Sequence, residues 1–195
     1  MTSPQPTEIK RKTNETDIRL KLLLSGERKV QVETGIGFFD HLLQTLAFWA
    51  GWDLELSCTG DLHVDTHHTV EDVALALGQA FARAREDTGD IKRFGTAWVP
   101  MNDVLSQVVV DLSDRPCCVF NADIEVERVG TFETVMTGHF FRSFATEARI
   151  TLHVRTLYGT DPHHIIESMF KGLGLALREA LTPGAGGVAS TKGAL

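Results

Sequence analysis

Two segments of this chain, Asp65-Thr66-His67-His68-Thr69-Val70-Glu71 and Asp161-Pro162-His163-His164-Ile165-Ile166-Glu167, carry the same pattern, D-x-H-H-x-x-E. Imidazole nitrogen and carboxylate oxygen together are ligands for first-row divalent metals. On a helix the first His and the Glu of each motif are i, i+4 neighbours and project from one side. The second His is rotated from the first by about 100°. One motif can therefore supply a His/Glu pair to one ion while its second His reaches another. Two copies imply either two ions or one site shared between two equivalent halves.

Further histidines lie upstream of each motif by similar spacings. His41 follows Gly37-Phe38-Phe39-Asp40, and His139 sits in Gly138-His139-Phe140-Phe141. His41, His67, His68, His139, His163 and His164 with Glu71 and Glu167 would fill most of the coordination of two octahedral ions. The absence of thiolate argues against a structural zinc site and suits Mn, Fe, Co or Ni. A single H-H-x-x-E is equally well explained as solvated histidines at a helix start; two copies with matched upstream partners are not. Asp65 and Asp161 read as N-caps and Pro162 as a first-turn proline. The partial positive charge of a helix start disfavours imidazolium, leaving neutral rings free to bind metal. His63 and His153 belong to neither motif and read as ordinary strand residues.

The elements that must position these residues follow from apolar periodicity. Residues 1–8 read as a disordered tail. Residues 9–32 read as two strands joined at Ser25-Gly26, and 54–64 as a strand or hairpin. Phe38 to Ala50 reads as a helix, with Gly51 in its C-cap region. The first motif opens a helix from His67 to about Asp87, with Val70, Val73, Ala74, Leu77 and Phe81 on one stripe. Strands fit 96–102, 105–112, 117–127 and 149–158, and a helix fits about 136–148. The second motif helix runs from His163 to about Leu181, where Thr182-Pro183-Gly184 stops it. The order of elements therefore repeats, as expected of an internal duplication. The units are 9–91 and 92–187, each with too little core to stand alone, followed by a mobile tail at 188–195.

The chain has 195 residues, 43% of them hydrophobic, and a formal net charge of -7. Its mean hydropathy is near zero. That charge argues against a nucleic-acid partner, though a few placed cations suffice for a small anion. Cys58, Cys117 and Cys118 are an odd set without C-x-x-C spacing, and neighbours on a strand point to opposite faces, so a reducing compartment is expected. The first residues lack the apolar core of a signal peptide, and no apolar run is long enough to span a bilayer. A soluble cytoplasmic protein without membrane partners is the expectation.

Several stretches together resemble the imidazoleglycerol-phosphate dehydratase family of histidine biosynthesis, in its monofunctional form. They are Arg11-x-Thr13-x-Glu15-Thr16, Gly35 to His41, Asp65 to Asp72, Asp111-Leu112-Ser113-x-Arg115, His163-His164-x-x-Glu167 with Lys171, and Ser190-Thr191-Lys192-Gly193. The likeness covers nearly the whole chain. It implies an α+β fold of two pseudo-equivalent halves, each a four-stranded sheet with helices on one face, of the duplicated ribosomal protein S5 domain 2-like type. It also implies a 24-subunit shell of metal-linked trimers with ligands drawn from neighbouring subunits. Two Mn²⁺ ions per active site would be held by His41, His67, His68, Glu71, His139, His163, His164 and Glu167. The substrate and its phosphate would be held by Glu15, Arg93, Arg115, Lys171, Ser190 and Lys192. Two positions depart from the family pattern. Ala189 stands where proline is common, and Asp114 stands where glycine is common, its carboxylate expected beside Arg115.

The implied reaction converts D-erythro-imidazoleglycerol phosphate to imidazole-acetol phosphate. The proton to be lost is not acidic, so divalent ions flanking the imidazole would lower its N–H pKa and give a bridging imidazolate. Its electrons would expel hydroxide to form a diazafulvene, and proton loss would then yield the enol of the product. Glu167 is the candidate base, with Glu15 assisting. A dinuclear metallohydrolase and a non-enzymatic metal-binding protein are the competing readings. Neither gives the basic residues or the Ser190/Lys192 segment a role.

Overall fold

A computed structural model describes residues 5–184. The first half contains β1 (Thr7–Lys12), β2 (Thr16–Leu23), β3 (Val30–Glu33), α1 (Gly37–Ala50), β4 (Asp53–Gly60) and α2 (His67–Glu86). The second contains β5 (Phe94–Met101), β6 (Val104–Asp111), β7 (Cys117–Asn121), a short hairpin of β8 (Arg128–Val129) and β9 (Phe132–Glu133), α3 (Met136–Glu147), β10 (Thr151–Tyr158) and α4 (Pro162–Ala180). The sheets run β1-β2-β4-β3 and β5-β6-β10-β7. Each is antiparallel except for one parallel edge pair, β3 on β4 and β7 on β10. Apart from the inserted β8–β9 hairpin, the second half repeats the order of elements of the first, so the expected duplication is present in the topology.

Alternation sets which face of each sheet is covered. Ile18, Leu20 and Leu22 of β2 are buried and stand opposite Cys58, Leu56 and Leu54 of β4. The helices cover these inner faces: α2 packs on β1 and β2, and α4 on β5 and β6. They also pack across the halves, α2 on α3 and α1 on α4. The core is therefore common to both units. Phe81 of α2 contacts Phe144 of α3, and Phe140 of α3 contacts both Phe39 of α1 and Phe170 of α4.

The two cross-half helix contacts are close enough to require glycine. A Cβ on Gly78 of α2 would lie 2.7 Å from the Phe144 carbonyl, and one on Gly174 of α4 would lie 2.5 Å from the Leu46 carbonyl. Each glycine stands at the same place along its motif helix, so the close crossing is duplicated with the ligands.

Some boundaries differ from the periodicity reading. Thr7 and Glu8 already belong to β1, and residues 9–32 form three strands, not two. The extra break is local: the Thr13 hydroxyl accepts the N–H groups of Glu15 and Thr16 at 3.1 and 3.0 Å, folding a turn into the alternating run. β4 ends at Gly60, which leaves His63 in an exposed turn instead of a strand, whereas His153 lies on β10 as expected. The run 117–127 forms a strand only to Asn121, where its register with β10 ends. All three cysteines are free. Among the described residues no helix is long and apolar enough to cross a membrane.

Candidate metal centre

His41 lies in the first turns of α1, and His163 and Glu167 lie in the first turns of α4. The packing of α1 on α4 brings them together across the boundary between the halves. His163 Nε2 is 3.0 Å and His41 Nε2 3.1 Å from the same oxygen, Glu167 Oε2. The three ligand atoms lie within 4.8 Å of one another. His41 Nε2 is buried and has no hydrogen-bond partner of proper geometry among the described residues. The other Glu167 oxygen receives the Lys171 ammonium at 2.8 Å. Burial pushes this carboxyl up, but the Lys171 ammonium and the His41 ring beside it outweigh that and hold the group down at about 2.

The repeat builds a second trio from α2 and α3. His67 Nε2 is 3.3 Å from Glu71 Oε2, and the His67 and His139 rings are 5.0 Å apart. This trio is more open, with the Glu71 side chain 41% exposed against 8% for Glu167. The first trio converges closely enough to fit a divalent first-row ion, with the buried His41 nitrogen aimed at it, and the second offers the same donor types, imidazole nitrogen and carboxylate oxygen.

The second histidine of each motif turns away, as its helical rotation requires. His68 Nδ1 is 3.0 Å from Asp61 Oδ2, and its Nε2 is 3.6 Å from Glu15 Oε1. His164 Nδ1 is 3.6 Å from Asp161 and 3.8 Å from Asp103. His139, outside the motifs, is pushed below its usual pKa by burial, with Arg142 and His67 adding to the effect. Within the motifs His68 is raised, chiefly by the hydrogen bond to Asp61, against the expectation of a ring held neutral by the helix start. At that position an adjacent carboxylate outweighs the helix end. Asp161 is the N-cap of α4 and accepts the His164 N–H at 3.1 Å. The cap position of α2 is Thr66, not Asp65, but Asp65 still accepts the His67 N–H at 2.8 Å.

The basic residues divide into two places. Lys171 stands at the ligand end, 3.7 Å from Met101 at the close of β5. Arg93 precedes the start of β5 and donates to Asp111 at 2.6 and 3.1 Å; Arg115, 73% exposed, leans towards the same carboxylate at 3.8 Å. The length of β5 separates these ends by about 25 Å. Along α4 the Arg93 N–H bonds the Ala180 carbonyl, about 25 Å from His163 at the other end of the helix. Arg93 and Arg115 therefore do not meet Lys171 within one copy of the chain. Asp114 adopts a left-handed φ of 57°. Its carboxylate is taken up by Arg85 at 2.6 Å and Arg149 at 3.4 Å, so it ties the Arg115 loop to the end of α2. Ser190 and Lys192, with the rest of the 188–195 tail, lie outside the described residues.

The sequence reading gave no role to Asp61, Asp103 or Asp72. Asp61 and Asp103 come from turns that the fold brings beside His68 and His164, and Asp72, on the buried side of α2, meets Arg11 and Thr16.

The family model for imidazoleglycerol-phosphate dehydratase matches residues 34–177. Among curated proteins, the imidazoleglycerol-phosphate dehydratase of Azorhizobium caulinodans is 49% identical over 191 residues, covering 96% of this chain and 97% of its own. That of Caldanaerobacter subterraneus is 50% identical over 190 residues, covering 96% and 98%. The crystal structure of the Staphylococcus aureus enzyme superposes with a TM-score of 0.82 at 33% identity, over 92% of this chain and 99% of that one. The Pyrococcus furiosus enzyme, solved in complex with (S)-C348, gives 0.80 at 36% identity, over 96% and 100%. Likeness of this extent in both sequence and fold leaves one conclusion: the chain belongs to the imidazoleglycerol-phosphate dehydratase family, hydro-lyases that dehydrate imidazoleglycerol phosphate in histidine biosynthesis.

Proposed function

We propose that this chain converts D-erythro-imidazoleglycerol phosphate to imidazole-acetol phosphate at a site of two Mn²⁺ ions shared between copies. The supporting observation is the convergence of His41, His163 and Glu167 from opposite halves, repeated by His139, His67 and Glu71. His68 and His164 complete the ligand set by reaching ions outside their own trio. When bound, the ions supply Lewis acidity that lowers the pKa of the substrate's ring N–H. Both oxygens of Glu167 are engaged, one by Lys171 and one facing His41 and His163, which suits a ligand more than a base. Glu15, 51% exposed and 3.6 Å from His68 Nε2, is the proposed base for the proton beside the reacting carbon.

Arg93 and Arg115 bind the phosphate together with Lys171, Ser190 and Lys192. Because the first two lie at the far end of the sheet, a neighbouring copy supplies them. This separation supports sharing of the site between copies, and the proposed assembly is a 24-mer of metal-linked trimers in the cytoplasm. Dialysis against a chelator is expected to abolish ketone formation from imidazoleglycerol phosphate, and added Mn²⁺ to restore it. No ketone product with Mn²⁺ present would overturn the reading. A large particle that keeps its size after metal removal would overturn the metal-linked assembly.

A further inference from the structure

The turn that carries Glu15 is tied to the first motif helix by a buried carboxylate outside the ligand set. Asp72, directly after Glu71, is 7% exposed. Its Oδ2 accepts from the Thr16 hydroxyl at 2.5 Å and from the Arg11 guanidinium. These two donors flank Glu15: Arg11 lies at the end of β1, and Thr16 opens β2. Inside the turn the Thr13 hydroxyl accepts the Glu15 and Thr16 N–H groups. The Glu15 carbonyl accepts the Asp61 N–H at 3.1 Å, and the Asp61 carboxylate in turn holds His68. One continuous network thus fixes both the Glu15 backbone and the His68 ring.

The other half shows what the duplication alone requires. There the residue after Glu167 is Ser168, paired with Ser106 at 2.7 Å in a fully buried, uncharged contact. That is enough to dock a motif helix on its sheet. The half that carries Glu15 instead buries a charge, which is costly unless paired and is strongly destabilising when a partner is removed. We propose that Arg11, Asp72 and Thr16 are positioning residues that hold the Glu15 carboxylate beside His68 for proton transfer. The proposal rests on the role assigned to Glu15 above. A glutamate on an exposed turn has many rotamers, and a misplacement of about 1 Å is enough to cost on the order of 100-fold in rate.

The test uses the full-length, Mn-loaded protein. Thr16→Val is expected to lower kcat about tenfold with KM within about twofold, and Thr16→Ser to restore most of it. Metal content per subunit should match the wild type in both. In a Glu15→Gln background Thr16→Val should cause no further loss, because the group it positions is gone. Arg11→Leu should behave like Thr16→Val. Because it strands the Asp72 charge and threatens folding, the threonine pair decides the outcome. Multiplicative losses in the double variant, or loss of metal in Thr16→Val, would overturn the positioning role. Wild-type turnover in Glu15→Gln alone would overturn the Glu15 reading and the proposal with it.

Discussion

Glu15 and Glu167 are both carboxylates beside imidazoles, yet their surroundings differ, and the proposed reading gives them different work. Glu167 is buried, with one oxygen on Lys171 and the other facing two histidines. Glu15 is exposed and reaches a single ring edge. Substituting each by glutamine separates the roles. Glu15→Gln is expected to keep its metal and lose at least about 100-fold in kcat. Glu167→Gln should lose metal affinity as well, because it removes a charged ligand and strands the Lys171 ammonium. Metal analysis beside steady-state kinetics reads both; full metal with low kcat in Glu167→Gln would return the base to that residue. The candidate ligands were legible because helical spacing fixes which side chains share a face. Asp61 and Asp103 were not, since their place beside the histidines depends on turns and sheet order that no local pattern encodes, and neither was Asp72, whose partners Arg11 and Thr16 come from other elements.

At the level of elements, the motif helices do more than display ligands. Each crosses a helix of the other half closely enough to bring His41 to Glu167 and His139 to His67. Gly78 and Gly174 permit those crossings. Alanine at either position improves intrinsic helix propensity by up to about 1 kcal/mol. Its Cβ would nevertheless press on a backbone carbonyl that has no rotamer to yield. We expect a net loss of about 1–3 kcal/mol for each of Gly78→Ala and Gly174→Ala, read as a lower melting temperature, with weaker metal retention because the trios are spread. Unchanged melting in both would show that the helices separate freely. The helices themselves were readable to within a residue or two from their apolar stripes. The strands were less so: 9–32 read as two strands broken at Ser25-Gly26, but the Thr13 turn adds an earlier break, and the run from Cys117 has no strand partner beyond Arg155.

On the scale of the whole molecule, the decisive fact is a distance. The arginines assigned to phosphate sit near the C-terminal ends of the motif helices, where Arg93 meets Ala180 and the Arg115 loop is clamped through Asp114 to Arg85. The ligands and Glu15 sit at the N-terminal ends, about 25 Å away along helices of this length. Nothing in the sequence reveals this, because Arg115 and Lys171 differ only in chain position until the sheet order is known. On the proposed assignment, a substrate small enough to be held by both groups would lie between two copies of the chain. Complementation tests that directly. Arg115→Ala and Glu15→Gln should each be nearly inactive when expressed alone. Co-expressed, they should form mixed particles in which roughly a quarter of the sites, by random pairing of subunits in a symmetric assembly, combine an intact Glu15 from one copy with an intact Arg115 from another. Activity well above the sum of the parents, in particles purified through a tag on each variant, is the expected result. Mixed particles no more active than their parents would place the whole site within a single chain and contradict the separation along β5 and α4.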